Sequence, residues 1–218
     1  MRLATLALAI AIAVSPAHAQ EPDAKQIAQE RALAEYDAPH LVEVLGLKPG
    51  MAVADIGTGG GAMAMVLGKW LDSGRVYATD ITERALRTTR EYAVKEGLTN
   101  ITVIEGGADR TNLPAECCDA LFLRHVYHHI GAIEAFNKSL LASLKPGGRL
   151  AIIDFVPPKG SKLPDGVPAN REGHGIPPPV VIEELKAAGF TYVRTIDDWP
   201  PGKKEADAPF LTLFTKGR

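Results

Sequence analysis

The chain has 218 residues, of which 46% are hydrophobic and 23% charged, a composition typical of one folded globular domain. Its 24 Lys and Arg nearly balance its 26 Asp and Glu, and no long basic run occurs. A broad electrostatic surface for nucleic acid or anionic lipid is therefore not expected.

The first nineteen residues are predicted to be a secretory signal peptide. Arg2 precedes an apolar stretch at 3–14, which is followed by the small-x-small sequence AHA at 17–19. This stretch is shorter than the roughly twenty residues that cross a bilayer, so an uncleaved anchor is only the alternative. We expect cleavage before Gln20 and a periplasmic or secreted mature protein without a membrane span.

The next segments predict helices and strands in alternation. Residues 24–46 carry apolar positions at helical spacing, and Pro39 is expected to divide them into two helices. Cys117 and Cys118, the only cysteines, are predicted to be loop residues entering a strand, because their adjacency disfavours a disulfide. A redox or soft-metal role is the alternative. Short apolar runs predict strands at 51–56, 75–81, 100–106, 119–125 and 149–156, with helices at 61–71, 82–95 and 132–144.

The C-terminal part begins with a segment rich in proline and glycine at 156–179, followed by a helix at 180–189. Two strand-like runs at 190–196 and 209–215 are joined by a segment too short for a parallel crossover of about a dozen residues. The last strand is therefore predicted to be antiparallel. The whole pattern predicts an α/β fold with a Rossmann-like, doubly wound, seven-stranded sheet that is mostly parallel.

A glycine-rich turn, in the sequence VADIGTGGGAMA at 53–64, follows the first strand. The pattern G-x-G-x-x-A from Gly57 fits a dinucleotide fingerprint, whereas D-x-G-x-G-x-G from Asp55 has the spacing of an S-adenosylmethionine site. A carboxylate before the turn would repel a pyrophosphate but suits an ammonium group. Alternatively, Asp55 only orders the turn. Asp80, which ends the second strand, suits the ribose of either ligand.

Five segments in order resemble a class I S-adenosylmethionine-dependent methyltransferase of the small-molecule group that includes the ubiquinone/menaquinone-biosynthesis type. They are LGLKPGMAVADIGTGGG, GRVYATDI, GGADRTNLPAECCDALFLRHVYHH, LKPGGRLAIIDF and HGIPPPVVIEELKAAGF. The resemblance implies S-adenosylmethionine as cofactor and a small-molecule methyl acceptor. It also implies N-terminal helices at 20–50 that act as a lid or cap, and a methyltransferase domain at 51–218.

The resemblance also implies two groups of cofactor-binding residues. Asp55 would lie near the ammonium group and Arg124 beside the same amino-acid end of the cofactor. Asp80 would bind the ribose hydroxyls, and Ile81 would pack on the adenine. The residues that would wrap the methionine part are Gly57, Thr58, Gly59 and Gly61, and those that would contact the adenine amino group are Asp109 and the Arg110 backbone.

The sequence RHVYHHI at 124–130 offers the catalytic candidates. If it forms a helical turn, His125 and His129 share one face. We predict that His128 and His129 act as base or bind the acceptor, with capping and packing as the alternative. A metal site is the least favoured alternative and no metal is predicted, because no Cys or carboxylate joins the histidines at ligand spacing. His174 and Tyr36 are further candidates that would approach from the lid.

The predicted function is in-line methyl transfer to a small molecule by an exported enzyme. One alternative is a non-catalytic protein of the same fold that binds S-adenosylmethionine or S-adenosylhomocysteine. Export favours this alternative, because S-adenosylmethionine is made in the cytoplasm. A nucleotide-dependent oxidoreductase is a weaker alternative. The oligomeric state is not predicted.

Overall fold

A computed structural model describes residues 24–157, 160, 168, 174–202 and 208–218 of the chain. The predicted signal peptide lies outside these residues. The strands are β1 (Ala52–Ile56), β2 (Arg75–Asp80), β3 (Ile101–Glu105), β4 (Cys118–Arg124), β5 (Leu144–Asp154), β6 (Thr191–Ile196) and β7 (Phe210–Thr215). The helices are α1 (Ala24–Leu45), α2 (Ala62–Leu71), α3 (Glu83–Lys95), α4 (Ile133–Ser143) and α5 (Pro178–Ala187), with a 3₁₀ turn at Tyr127–His129.

The strands form one seven-stranded sheet in the order β3-β2-β1-β4-β5-β7-β6. β1 to β5 pair in parallel, while β7 is antiparallel to both β5 and β6. The predicted fold, including the antiparallel last strand, is thereby confirmed. The strand order reverses between β1 and β4, and in open sheets of this kind a ligand binds beyond the carboxyl ends of the strands at such a point.

Both faces of the sheet are buried, because successive strand residues point to opposite sides. Phe122 of β4 belongs to the core under α1 and α2, whereas the next residue, Leu123, belongs to the core under α4 and α5. Two apolar layers of helices therefore hold the strand ends in fixed positions.

The prediction that Pro39 divides the N-terminal segment into two helices is wrong, since α1 continues through it. Proline removes one backbone hydrogen bond and crowds the preceding turn, at a cost of roughly 3 kcal/mol. Ala34, before Pro39, and Leu41, after it, are both buried in the core beneath α1 and α2. Because both halves bury apolar side chains in that core, packing outweighs the local cost.

Two further features complete the fold. Cys117 lies in the loop before β4 and Cys118 begins that strand, as predicted, but the structure joins them in a disulfide that the sequence disfavoured. Within the described ranges, no helix is long and apolar enough to span a membrane.

Candidate active site

The glycine turn between β1 and α2 requires glycine at particular positions. Gly57, Gly59 and Gly61 have φ values of 74°, 54° and 77°, in the left-handed region that favours glycine. A Cβ atom on Gly57 would lie 2.5 Å from Val126 Cγ2, and one on Gly61 would lie 2.8 Å from Thr89 Oγ1. The turn therefore keeps its backbone close to the loop after β4 at Gly57 and to α3 at Gly61, where a side chain would not fit.

Hydrogen bonds fasten this turn to the end of β2. The backbone N–H groups of Gly57 and Thr58 donate to the Thr79 carbonyl at 2.8 and 2.9 Å, and the Gly59 N–H donates to Asp80 Oδ2 at 3.1 Å. Asp80 Oδ1 also accepts from the backbone N–H and the hydroxyl of Thr82, at 2.9 and 2.8 Å. A carboxylate offers about four acceptor positions, so Asp80 retains capacity for a ligand hydroxyl.

Asp55 lies beneath the turn and is only 3% exposed. Thr58 Oγ1 donates to its Oδ2 at 2.8 Å. Burial raises the pKa of Asp55 to about 7, although the Thr58 hydrogen bond and the Arg124 charge oppose the shift. Asp55 thus helps to order the turn, which was the alternative role, while its contact with a cofactor ammonium stays a prediction.

A cavity of about 460 Å³ opens beside the turn, at the carboxyl ends of β1, β2 and β4. This volume is in the usual range of small-molecule sites, about 300–1,000 Å³. Five predicted site residues line it, namely Gly57, Asp80, Ile81, Arg110 and His129. Gly59 instead lines a smaller cavity of about 240 Å³ between α1 and α3.

Two predicted cofactor-binding residues form ion pairs with neighbouring side chains. The Asp109 carboxylate accepts from Arg110 Nε and Nη2 at 2.9 and 2.8 Å, an exposed pair that lowers the pKa of Asp109. Arg124 Nη2 lies 2.8 Å from Asp37 Oδ2 on α1. Neither Asp109 nor Arg124 lines the 460 Å³ cavity, so their contacts with a cofactor stay predictions.

The histidine segment places His128 against the end of β5. His128 is fully buried, and its Nδ1 lies 2.8 and 3.0 Å from the two carboxylate oxygens of Asp154. The His128 backbone N–H also donates to Asp154 Oδ2 at 3.2 Å. Among the residues that the structure describes, the buried Nε2 of His128 has no hydrogen-bond partner.

The predicted pairing of His125 with His129 on one helical face is wrong. The helical turn is a short 3₁₀ turn that begins only at Tyr127, and His125 precedes it with a φ of 58°. The ring of His125 packs on Phe155, and burial lowers the pKa of His125 to about 4. The ring that lies beside His129 is that of His128, with centroids 4.1 Å apart.

Of the two residues predicted to approach from the lid, only His174 lies near the histidine segment. His174 is exposed but lies with its ring centroid 4.8 Å from that of His128, so it joins the histidine segment. Tyr36 is also exposed, and its ring contacts His40 on the same helix, 6.0 Å between centroids. Tyr36 is not among the residues that line the 460 Å³ cavity.

Sequence reasoning missed Asp154 and Asp37. Asp154 is the last residue of β5, just as Asp55 and Asp80 lie at or near the ends of β1 and β2. A polar residue at the end of an apolar strand could therefore have identified Asp154 as a site residue. Asp37 lies within a helix, where spacing gave no indication that it faces Arg124. The parallel sheet, glycine turn and acidic strand ends together define a Rossmann-like fold with an adenosine-type ligand site.

Comparison with known proteins agrees with this class. Residues 54–152 match the family model described as a methyltransferase domain. The ubiquinone/menaquinone biosynthesis C-methyltransferase UbiE of Shewanella woodyi is 28% identical over 120 residues, which cover 54% of this chain and 48% of that protein. The chain therefore aligns with about half the length of such relatives.

Solved structures match over more of the chain. A SAM-dependent methyltransferase from Aquifex aeolicus superposes with a TM-score of 0.69 and 26% identity, covering 88% of this chain and 98% of that one. Phosphoethanolamine N-methyltransferase 2 of Haemonchus contortus, solved with S-adenosyl-L-methionine, superposes with a TM-score of 0.68 and 15% identity. The match covers 89% of this chain and 57% of that one, and it shows likeness of fold. Residues 54–152 thus match a methyltransferase domain, and the chain is similar to class I S-adenosylmethionine-dependent methyltransferases, including the ubiquinone-biosynthesis group. These similarities support the predicted family and cofactor.

Proposed function

We propose that this protein is an exported enzyme that transfers a methyl group from S-adenosylmethionine to a small molecule. The observation that carries the proposal is the 460 Å³ cavity, because Gly57 and Asp80 line it together with His129. Residues of the cofactor motif and of the histidine segment thus line one shared cavity. Cofactor and acceptor can therefore meet there.

The residues around the cavity fit the cofactor. The positive φ angles of Gly57 and Gly61 favour glycine, and the turn therefore has no side chains at these positions. Its backbone can for this reason approach a ligand closely. Asp80 retains acceptor capacity for hydroxyl groups, and Ile81 is 65% exposed and lines the cavity as an apolar surface for a purine. When bound, S-adenosylmethionine supplies a methyl group activated by its sulfonium.

The chain itself would contribute alignment, exclusion of water and handling of a proton. The Asp154 carboxylate accepts from His128 Nδ1–H, which leaves Nε2 of that ring as the proton acceptor. This pairing supports a base or positioning role for His128. The position of His129 supports a role in acceptor binding, because its side chain is exposed and lines the cavity.

The decisive experiment is calorimetry on the protein starting at Gln20. We expect binding of S-adenosylmethionine and S-adenosylhomocysteine in the micromolar range, and none of NAD. Transfer of a labelled methyl group would then be screened over quinols, phenols, thiols and amines. Absence of heat with both sulfur ligands at millimolar concentration would refute the proposal. Tight binding with no acceptor methylated in any class would favour the non-catalytic alternative.

The export part of the proposal rests on the sequence of residues 1–19. Fusion of residues 1–25 to a reporter that is active only outside the cytoplasm should give activity, and N-terminal sequencing of the chain should begin at Gln20. Recovery of protein starting at Met1 from the cytoplasm alone would contradict export.

A further inference from the structure

We propose that His128, His129 and His174 form a binding site for a divalent transition metal of the zinc type. One ring nitrogen from each histidine can be chosen so that all three lie within 4.8 Å of one another. Imidazole nitrogen is a preferred ligand of zinc, and three histidines are a known ligand set for it. The site does not depend on methyl transfer, because its geometry involves only these side chains.

Asp154 prepares His128 for this role. Metal-bound histidines usually donate their second ring N–H to a carboxylate or carbonyl, which fixes the tautomer and strengthens the ligand nitrogen. Nδ1 of His128 lies 2.8 Å from Asp154 Oδ1, and both side chains are fully buried. The nitrogen left for a metal is therefore Nε2.

The position of this Nε2 distinguishes a ligand from a packing residue. It is buried and has no hydrogen-bond partner within the described part of the chain. A buried polar group without a partner costs about 1–3 kcal/mol, and metal coordination would remove that cost. The neighbouring rings are close to this nitrogen's ring, since the centroids of His129 and His174 are 4.1 and 4.8 Å from that of His128.

Small movements would complete the site. Tetrahedral zinc with nitrogens at about 2.0–2.1 Å separates its ligand atoms by about 3.3 Å. Since 4.8 Å is the limit for one ring nitrogen of each histidine, chosen as Nδ1 or Nε2, the ligand atoms of such a set must approach by up to about 1.5 Å. His129 and His174 are both exposed, while buried His128 supplies the fixed point of the site.

The site would leave a coordination position open towards the cavity. Catalytic zinc sites commonly have three protein ligands and a fourth position for water or substrate. His129 lines the 460 Å³ cavity, so a small ligand with an oxygen, nitrogen or sulfur donor could reach the metal from there. A phenol, enediol or thiol group is the chemical class that suits this position.

The test is a titration of the untagged protein starting at Gln20, freed of metal by a chelator, with Zn²⁺ followed by calorimetry and with Co²⁺ followed by its visible absorption. We expect one ion per chain. His129→Ala and His174→Ala should each weaken binding by about tenfold or more, and Asp154→Asn by about 10–100-fold.

His40→Ala is the matched control, because His40 lies on α1 between Tyr36 and Trp199. It should leave metal binding unchanged. The proposal is overturned if neither ion binds, if the exposed variants bind as the parent does, or if His40→Ala weakens binding equally. Melting temperature and S-adenosylhomocysteine binding are measured on every variant. A loss of metal with cofactor binding intact thus reports on this site, whatever the outcome for methyl transfer.

Discussion

The two sides of the cavity are built in different ways. On the cofactor side, Asp55, Thr58 and the glycines lie within one short turn, and backbone hydrogen bonds to Thr79 hold it. On the histidine side, Asp154 and His128 are 26 residues apart in the chain and meet only through the sheet. A local motif can therefore indicate the ligand of the first side. The chemistry of the second side depends on which distant residues the fold brings together.

The two sides also treat a buried carboxylate differently. Asp55 accepts from the neutral Thr58 hydroxyl and from the Ala64 backbone, and burial raises its pKa to about 7. Asp154 accepts instead from the His128 ring, the His128 backbone and the Phe155 backbone. Donors that surround Asp154 fix the orientation of the imidazole. The comparison predicts that variants on the histidine side affect turnover and that variants on the cofactor side affect affinity and stability.

The largest expected effect is on turnover in the histidine variants. With an acceptor found by screening, His128→Ala or His129→Ala should lower turnover by about 10²–10⁴ if the residue is a general base, and by less if it only positions the acceptor. Affinity for S-adenosylhomocysteine should remain within about threefold, because the glycine turn is untouched. Steady-state kinetics and calorimetry measure the two quantities.

His129→Ala is the cleaner of these two variants. His128→Ala leaves Asp154 buried without its ring partner, so its melting temperature must be measured beside its turnover. Full turnover in both variants would show that the histidines are not required, and alignment alone would then carry the chemistry. Joint loss of cofactor binding, turnover and thermal stability would indicate a structural role.

The next largest effect is on the stability of variants in the glycine turn, where Gly57→Ala and Gly59→Ala separate the cost of overpacking from that of backbone conformation. Gly57→Ala should destabilise the fold by about 2–5 kcal/mol, because a left-handed backbone conformation costs about 1–2 kcal/mol and overpacking adds about 1–3 kcal/mol. The overpacking arises because the new Cβ would lie 2.5 Å from Val126. Gly59→Ala should cost only the conformational part, since among the described residues no atom beyond its chain neighbours lies within 4 Å of the added Cβ. Denaturant unfolding measures both. Equal costs would contradict the close approach at Gly57.

The smallest effect, taken per pH unit, is the pH dependence that Asp55 imposes on stability. Its pKa is raised from 3.8 to about 7 in the folded state, so the folded protein holds a proton that the unfolded chain releases between these values. The stabilisation is complete below pH 3.8 and is lost as pH rises towards 7, by up to about 1.4 kcal/mol per pH unit.

Asp55→Asn should remove this contribution in denaturant unfolding at pH 5, 6 and 7, whereas the opposite slope from His125, whose pKa burial lowers from 6.5 to about 4, is present in both proteins. The stability of the variant relative to the parent should therefore increase with pH over this range. Asp197→Asn, at an exposed position before β7, is the matched control and should leave the slope as it is in the parent. An equal pH dependence in the parent and in Asp55→Asn would show that Asp55 contributes no slope.

The sequence by itself determined the fold class, the succession of helices and strands along the chain, and the kind of cofactor. Apolar runs of strand length between amphipathic helices already specify a parallel sheet, because each strand must be covered on both faces. The glycine turn and Asp80 were also readable, since their geometry arises from residues close together in the chain. The structure places Gly57 and Asp80 at the cavity, as expected for such a site.

Only the tertiary structure decided the arrangement of the histidine side and of α1. The spacing at 124–130 suggested a partner for His129 within one helix, but the fold brings His174 from the segment before α5. Arg124 pairs with Asp37, and α1 continues through Pro39. In each case the deciding interaction joins residues remote in sequence, or buries a helix face against a distant element. Local propensity and spacing carry no information about such partners, because packing selects them only once the sheet has formed.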